Sequence, residues 1–132
     1  MNVGLDTSAL VRIISGEPPE LAEKVARRLA EILDGGGECE IADIAAFEAY
    51  YALQHFYGMT KAETLEHLRR LSVTPGFRFS PIATAVLETP NLEKVNLGFI
   101  DRVLGEGYRT RGVTTLSCEK SFRKLGLSEV VS

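Results

Sequence analysis

Tryptophan is absent from this chain of 132 residues, and cysteine and histidine occur only twice each. No apolar run approaches the roughly 18–20 residues that a membrane helix needs. Cys39 and Cys118 are too few and too far apart for a disulfide framework, or for a zinc site built from close-spaced pairs. His55 and His67 belong to no H-E-x-x-H arrangement, so they read as solvent or core positions. The N-terminus has no basic segment leading into a hydrophobic one, and the expected location is a reducing cytoplasm. Excess charge is scarce too. The net charge of −3 argues against a protein that coats nucleic acid by bulk attraction, because phosphate neutralisation needs clustered Lys and Arg. That charge is uneven: residues 101–132 hold six basic and four acidic groups, a balance of +2, which leaves −5 for residues 1–100.

What is present is an apolar content of 45% with 25% charged residues, enough for one globular domain over residues 1–132. Residues 1–5 read as a short strand and 8–15 as a helix ended by Gly16, Pro18 and Pro19. Leu21, Val25, Leu29, Ile32 and Leu33 recur at helical spacing over residues 20–33. Residues 39–41 suit a second strand, and 41–58 have the length and alanine content of a helix closed by Gly58. Thr60 and Glu63 make a capping-box pattern for the next helix, which ends before Pro75. Residues 77–79 read as a strand, 80–88 and 96–108 as helices, 113–116 as a strand, 117–126 as a turn with a short helix, and 127–131 as a last strand. Strands alternating with helices predict a mostly parallel sheet with helices on both faces.

Four carboxylates stand out. In open α/β sheets ligands bind beyond the carboxyl ends of strands, and Asp6 and Glu119 each follow a predicted strand. At 100° per residue Glu48 shares a helix face with Ile44, Tyr51, Ala52 and His55, and Asp101 shares one with Leu97, Leu104 and Tyr108. A carboxylate turned toward a core is costly unless paired or bound to a metal. Carboxylates gathered together either hold protons or hold a hard cation such as Mg²⁺. The bland alternative puts Glu48 and Asp101 at the rim of the core, reaching water or an arginine. Asp6, Thr7 and Ser8 likewise have a purely local reading as a helix cap, with Thr7 or Ser8 as the capping residue. Tyr50, Tyr51, Phe56 and Tyr57 read as core packing first and as a partner-binding face second. Ser117 and Cys118 have no histidine close in sequence to support nucleophilic catalysis. No phosphate-binding G-x-x-x-x-G-K-[ST] loop is present, and residues 105–112 lack the spacing of a dinucleotide fingerprint. Ser8 stands where a dehalogenase-type phosphatase would have its second aspartate.

Along almost its whole length the chain resembles PIN-domain ribonucleases, especially the small VapC-type toxins. The matching pieces are LDTSALV at the start, IADIAAFEAYYAL in the middle, then LGFIDRVL and TTLSCEKSFRKL. The resemblance implies a three-layer α/β/α PIN-like domain with a short, mostly parallel sheet. It implies a divalent-metal-dependent endoribonuclease, in which Asp6, Glu48, Asp101 and Glu119 hold Mg²⁺ or Mn²⁺. Thr7 or Ser8 would assist through a hydroxyl, with Ser117 as a supporting polar group. It further implies an RNA substrate, a small antitoxin protein as partner, and a homodimer. Arg12, Arg102, Arg109, Arg111, Lys120 or Arg123 would grip the RNA phosphates. One position departs from the family pattern: Glu119 stands where the family has aspartate, keeping the charge and adding a methylene. That departure leaves open a second reading, a catalytically weak or inactive PIN-like module that binds RNA or a protein partner.

Overall fold

A computed structural model describes residues 1–132. The chain divides into two compact units, residues 1–80 and 81–132.

The first unit is built on three three-residue strands, β1 (Val3–Leu5), β2 (Cys39–Ile41) and β3 (Phe77–Phe79). They lie parallel in the order β1-β2-β3, with Leu5 beside Ile41 and Ile41 beside Phe79. Parallel neighbours need crossovers, and helices supply them: α1 (Thr7–Ser15) and α2 (Pro19–Asp34) link β1 to β2, while α3 (Asp43–Phe56) and α4 (Lys61–Ser72) link β2 to β3. Gly16 ends α1 at φ 71°, a left-handed conformation that glycine adopts without a Cβ penalty. The capping box of α4 is present: Thr60 Oγ1 accepts the Glu63 N–H at 3.1 Å, and Glu63 Oε1 accepts the Thr60 N–H at 3.0 Å.

The core of this unit joins Leu10 of α1, Cys39 and Ile41 of β2, Ala46, Ala49 and Leu53 of α3, and Leu68 of α4, all essentially inaccessible. On α3 the buried side is thus the small one, Ala45, Ala46, Ala49 and Leu53. Ile44 is 69% exposed, and Glu48, Tyr51 and His55 are exposed with it. The expectation that Glu48 faces the core is therefore corrected. Both sides of α3 are apolar, so periodicity cannot choose between them; the alanine side lets α3 approach α1 closely, and packing decides. On α2 the same kind of correction is minor, with Ala22 buried and Leu21 exposed.

The second unit contains α5 (Pro81–Leu87), α6 (Phe99–Thr110), the parallel pair β4 (Thr115–Ser117) and β5 (Ser128–Val130), and a 3-10 turn over Lys120–Lys124 between them. Leu97, Phe122 and Leu125 form its core, with Val130 packed against them. Helix α6 tolerates its glycines for a reason: a Cβ on Gly105 would lie 2.3 Å from Leu125 Cδ1. Its buried residues are Phe99, Val103 and Gly105. Leu104 is exposed and Leu97 precedes the helix, so the face assigned to Asp101 from sequence is corrected as well. The α/β class and the parallel pairing agree with the sequence reading; β2 and β3 have the expected bounds, β1 and β5 are shorter, and β4 lies at Thr115–Ser117 rather than 113–116.

Candidate functional site

Asp6 sits between the end of β1 and the start of α1 and is itself the N-cap, with φ −83° and ψ 176°. Its Oδ1 accepts the Ala9 N–H at 2.9 Å and the Ser8 hydroxyl at 2.7 Å. The cap is therefore Asp6 rather than Thr7 or Ser8: the residue before the first helical one has the extended backbone that aims a side chain at free N–H groups. These bonds, first from the Ala9 N–H and then from the Ser8 hydroxyl, hold the Asp6 carboxyl below the usual aspartate value. It remains an exposed carboxylate at neutral pH, and both of these bonds fall on Oδ1.

Thr7, the first residue of α1, lines a hollow of about 400 Å³ together with Glu48, Phe47, Tyr51, Ala52 and Phe56 of α3. Glu48 makes no ion pair there. The structure thus brings Glu48 beside the residue that follows Asp6, from a helix more than forty positions away.

In the second unit Asp101 lies in the first turn of α6, half-buried, and Glu119 follows β4 on an exposed turn. Burial pushes the Asp101 carboxyl above the usual aspartate value, and the charge of Glu119 pushes it further. Two residues eighteen positions apart therefore interact as like charges. Ser117 has a defined part in this arrangement, because its Oγ accepts the Glu119 N–H at 2.9 Å and fixes the turn that presents the carboxylate. Glu119 also lines an open hollow of about 630 Å³ with Asn96, Cys118, Lys120 and Ser121. Asn96, the first residue of the helix predicted over 96–108, lies instead in the turns before α6, a placement that local sequence does not signal. Cys118 is exposed and free, a soft thiol that Mg²⁺ does not favour.

Of the cations considered for gripping phosphates, Lys120 is the one that shares a hollow with a site carboxylate. Arg12 donates to the Tyr57 hydroxyl at 3.0 Å, Arg109 pairs with Glu106 at 2.7 Å, and Arg111 stacks over the Tyr108 ring at 5.4 Å. His55 stacks on Tyr51 with ring centroids 4.0 Å apart.

No group of three or more His, Cys, Asp or Glu side chains is gathered into a metal-holding cluster. The acids expected from the resemblance, Asp6 and Glu48 in the first unit and Asp101 and Glu119 in the second, offer carboxylate oxygens only. The donors fit a hard divalent cation on two counts. They are all oxygen, and the Asp101–Glu119 repulsion is of the kind a bound cation relieves.

No helix is long and apolar enough to cross a membrane. No curated protein and no solved structure matches the chain. The family model described as PIN domain matches residues 3–127, a span that includes all four carboxylates. PIN domains are as a class nucleases that use divalent metals, which places this chain among hydrolases of nucleic acid at that coarse level. With nearly its whole length matched, and with its short parallel strands and alternating helices, the chain belongs to the PIN domain family.

Proposed function

We propose that this protein is a divalent-metal-dependent endoribonuclease that hydrolyses RNA phosphodiesters, with Asp6, Glu48, Asp101 and Glu119 as the residues that hold Mg²⁺ or Mn²⁺. The observation that carries the reading is the PIN-domain match over residues 3–127, which spans all four acids; the Asp101 carboxyl, raised by burial and by Glu119 with no cation side chain paired to either, supports it. Such an arrangement is of the kind that a bound positive ion relieves.

The residues divide the work. Ser8 and the Ala9 N–H fix one oxygen of Asp6, so the other keeps a set direction toward a ligand. Ser117 holds the backbone at Glu119, and the added methylene of glutamate over aspartate lengthens its reach. Lys120, beside Glu119 in an open hollow, supplies a point charge for an RNA phosphate, partly offsetting the repulsion between an acidic site and a polyanion. A divalent ion, when bound, stabilises the charge that develops on the phosphoryl oxygens. We further read the protein as the toxin of a cytoplasmic toxin–antitoxin pair, working as a homodimer and neutralised by a small antitoxin, on the strength of the resemblance to VapC-type proteins.

A panel of fluorescent RNAs, incubated with Mn²⁺ or Mg²⁺ and separately with EDTA, tests the proposal. Cleavage is expected only with metal, and is expected to be lost in Asp6→Asn and Asp101→Asn. Cleavage that persists in EDTA, or in those variants, would overturn it.

A further inference from the structure

Within the second unit, α5 and α6 form a hollow of about 340 Å³ that none of the four proposed metal-holding acids lines. Its α6 side is formed by Arg102, Glu106, Arg109 and Thr110, a helix face spread over about 80–180° round from Asp101. Its α5 side is apolar, with Ile82, Ala85 and Val86, and Thr89 lies at the end.

The charges in this hollow do not cancel. Arg109 and Glu106 neutralise each other at 2.7 Å. Arg102 is half-buried and donates its Nε to the Leu97 carbonyl, yet it has no carboxylate partner. A guanidinium does not shed its proton, so a half-buried one without a counter-charge carries a standing cost that an anion relieves. The half-buried Thr89 hydroxyl likewise has no hydrogen-bond partner in the protein. One net positive charge, a spare hydroxyl and an aliphatic wall are the features of a small-molecule site: concave, mostly apolar, with a few convergent polar groups.

We infer that the α5–α6 hollow binds a small organic monoanion, with a carboxylate on Arg102 and Thr89 and an apolar body against Ile82 and Val86. The volume suits a metabolite-sized molecule and the single uncompensated charge suits a monoanion. Nothing in this inference depends on metal binding or RNA cleavage.

Calorimetry on the full chain with octanoate, its neutral counterpart octanamide, and inorganic phosphate tests it. Octanoate is expected to bind at one site, with octanamide at least about tenfold weaker because the charge-assisted hydrogen bonds are lost. Phosphate, which has no apolar body, is expected to bind more weakly than octanoate. Arg102→Gln should bring octanoate down to the level of octanamide, and Ala85→Phe should block both without changing RNA cleavage. Because Arg102 also supports the Leu97 carbonyl, methyl NMR on the unaltered protein provides a readout independent of any variant: octanoate should shift the Ile82 and Val86 methyls and leave those of Leu10 and Leu53 in place. Absence of octanoate binding at millimolar concentration, equal binding of octanoate and octanamide, phosphate binding as tight as octanoate, or unmoved Ile82 and Val86 methyls would each overturn the inference.

Discussion

The Ser8 hydroxyl donates to Asp6 Oδ1 at 2.7 Å, on the same oxygen that accepts the Ala9 N–H and caps α1. One carboxylate oxygen thus takes both bonds, so the capping role of Asp6 and the metal-holding role proposed for it separate by mutation. Asn and Asp are about equally good N-caps, whereas alanine costs roughly 1 kcal/mol. Asp6→Asn is expected to melt within a few degrees of the parent while losing RNA cleavage at least about a hundredfold, and Asp6→Ala to lose both activity and about 1 kcal/mol. Circular dichroism melts beside cleavage assays make the comparison.

Ser8→Ala tests the orienting role alone. Without the hydroxyl the Asp6 carboxyl moves up toward its ordinary range, and its free oxygen is less firmly directed. Groups that orient a metal ligand typically change affinity by about 10- to 100-fold, and the lower end is expected here because the Ala9 N–H remains. Titration calorimetry with Mn²⁺ reads the change.

The Asp101–Glu119 pair makes a pH signature. Asp101 has its carboxyl raised on folding, so its contribution to stability is present below the unfolded carboxylate range and is lost as pH rises through the folded value. Asp6 runs the opposite way, since its lowered carboxyl stabilises the fold above the ordinary aspartate range and ceases to do so as pH falls through the folded value. In EDTA at neutral pH, Asp101→Asn is expected to melt a few degrees above the parent, and the difference should vanish near pH 4. Mn²⁺ should reverse the order, raising the melting temperature of the parent and leaving the variant unmoved.

Glu119→Gln separates the catalytic reading from that of an inactive binding module. Removing its charge brings the Asp101 carboxyl down, leaving only burial to raise it. If the pair holds a metal, Mn²⁺ binding weakens at least about tenfold, in the range seen when a metal-site group is removed. An inactive module would show the same weak binding before and after the change. The direct measurement is Mn²⁺ affinity, with RNA cleavage followed in parallel.

Gly105→Val is expected to destabilise the protein by about 2 kcal/mol, the usual cost of overpacking a filled core. The new Cβ would fall 2.3 Å from Leu125 Cδ1, beside Phe122. Thermal denaturation reads it, and Gly126→Ala, whose nearest neighbour is the Arg109 side chain at 3.7 Å, serves as the control.

Local signals were legible in the sequence because they act over a few residues. The capping box at Thr60 and Glu63, the stop at Gly16 and the strand over Cys39–Ile41 each depend on near neighbours, and each is present. The resemblance marked by LDTSALV, the alanine-rich middle segment and TTLSCEKSF likewise agrees with the family match over residues 3–127. The choice of buried face was not legible on α3 or α6. Ile44 and Tyr51 are more hydrophobic than the alanines, yet they are exposed while Ala46 and Ala49 are inaccessible. Burial follows how closely two elements fit, a property of pairs of surfaces that no single helical wheel contains. Glu48 is therefore exposed instead of facing the core, and it lines one hollow with Thr7. Composition and short-range pattern determined the element order and the α/β class, and the motifs of the family resemblance pointed to the four acids. Only tertiary structure decided that Asp6 caps its own helix, that Ser117 holds Glu119, and that Glu119 raises Asp101, because each is a matter of ångström distances set by packing around it.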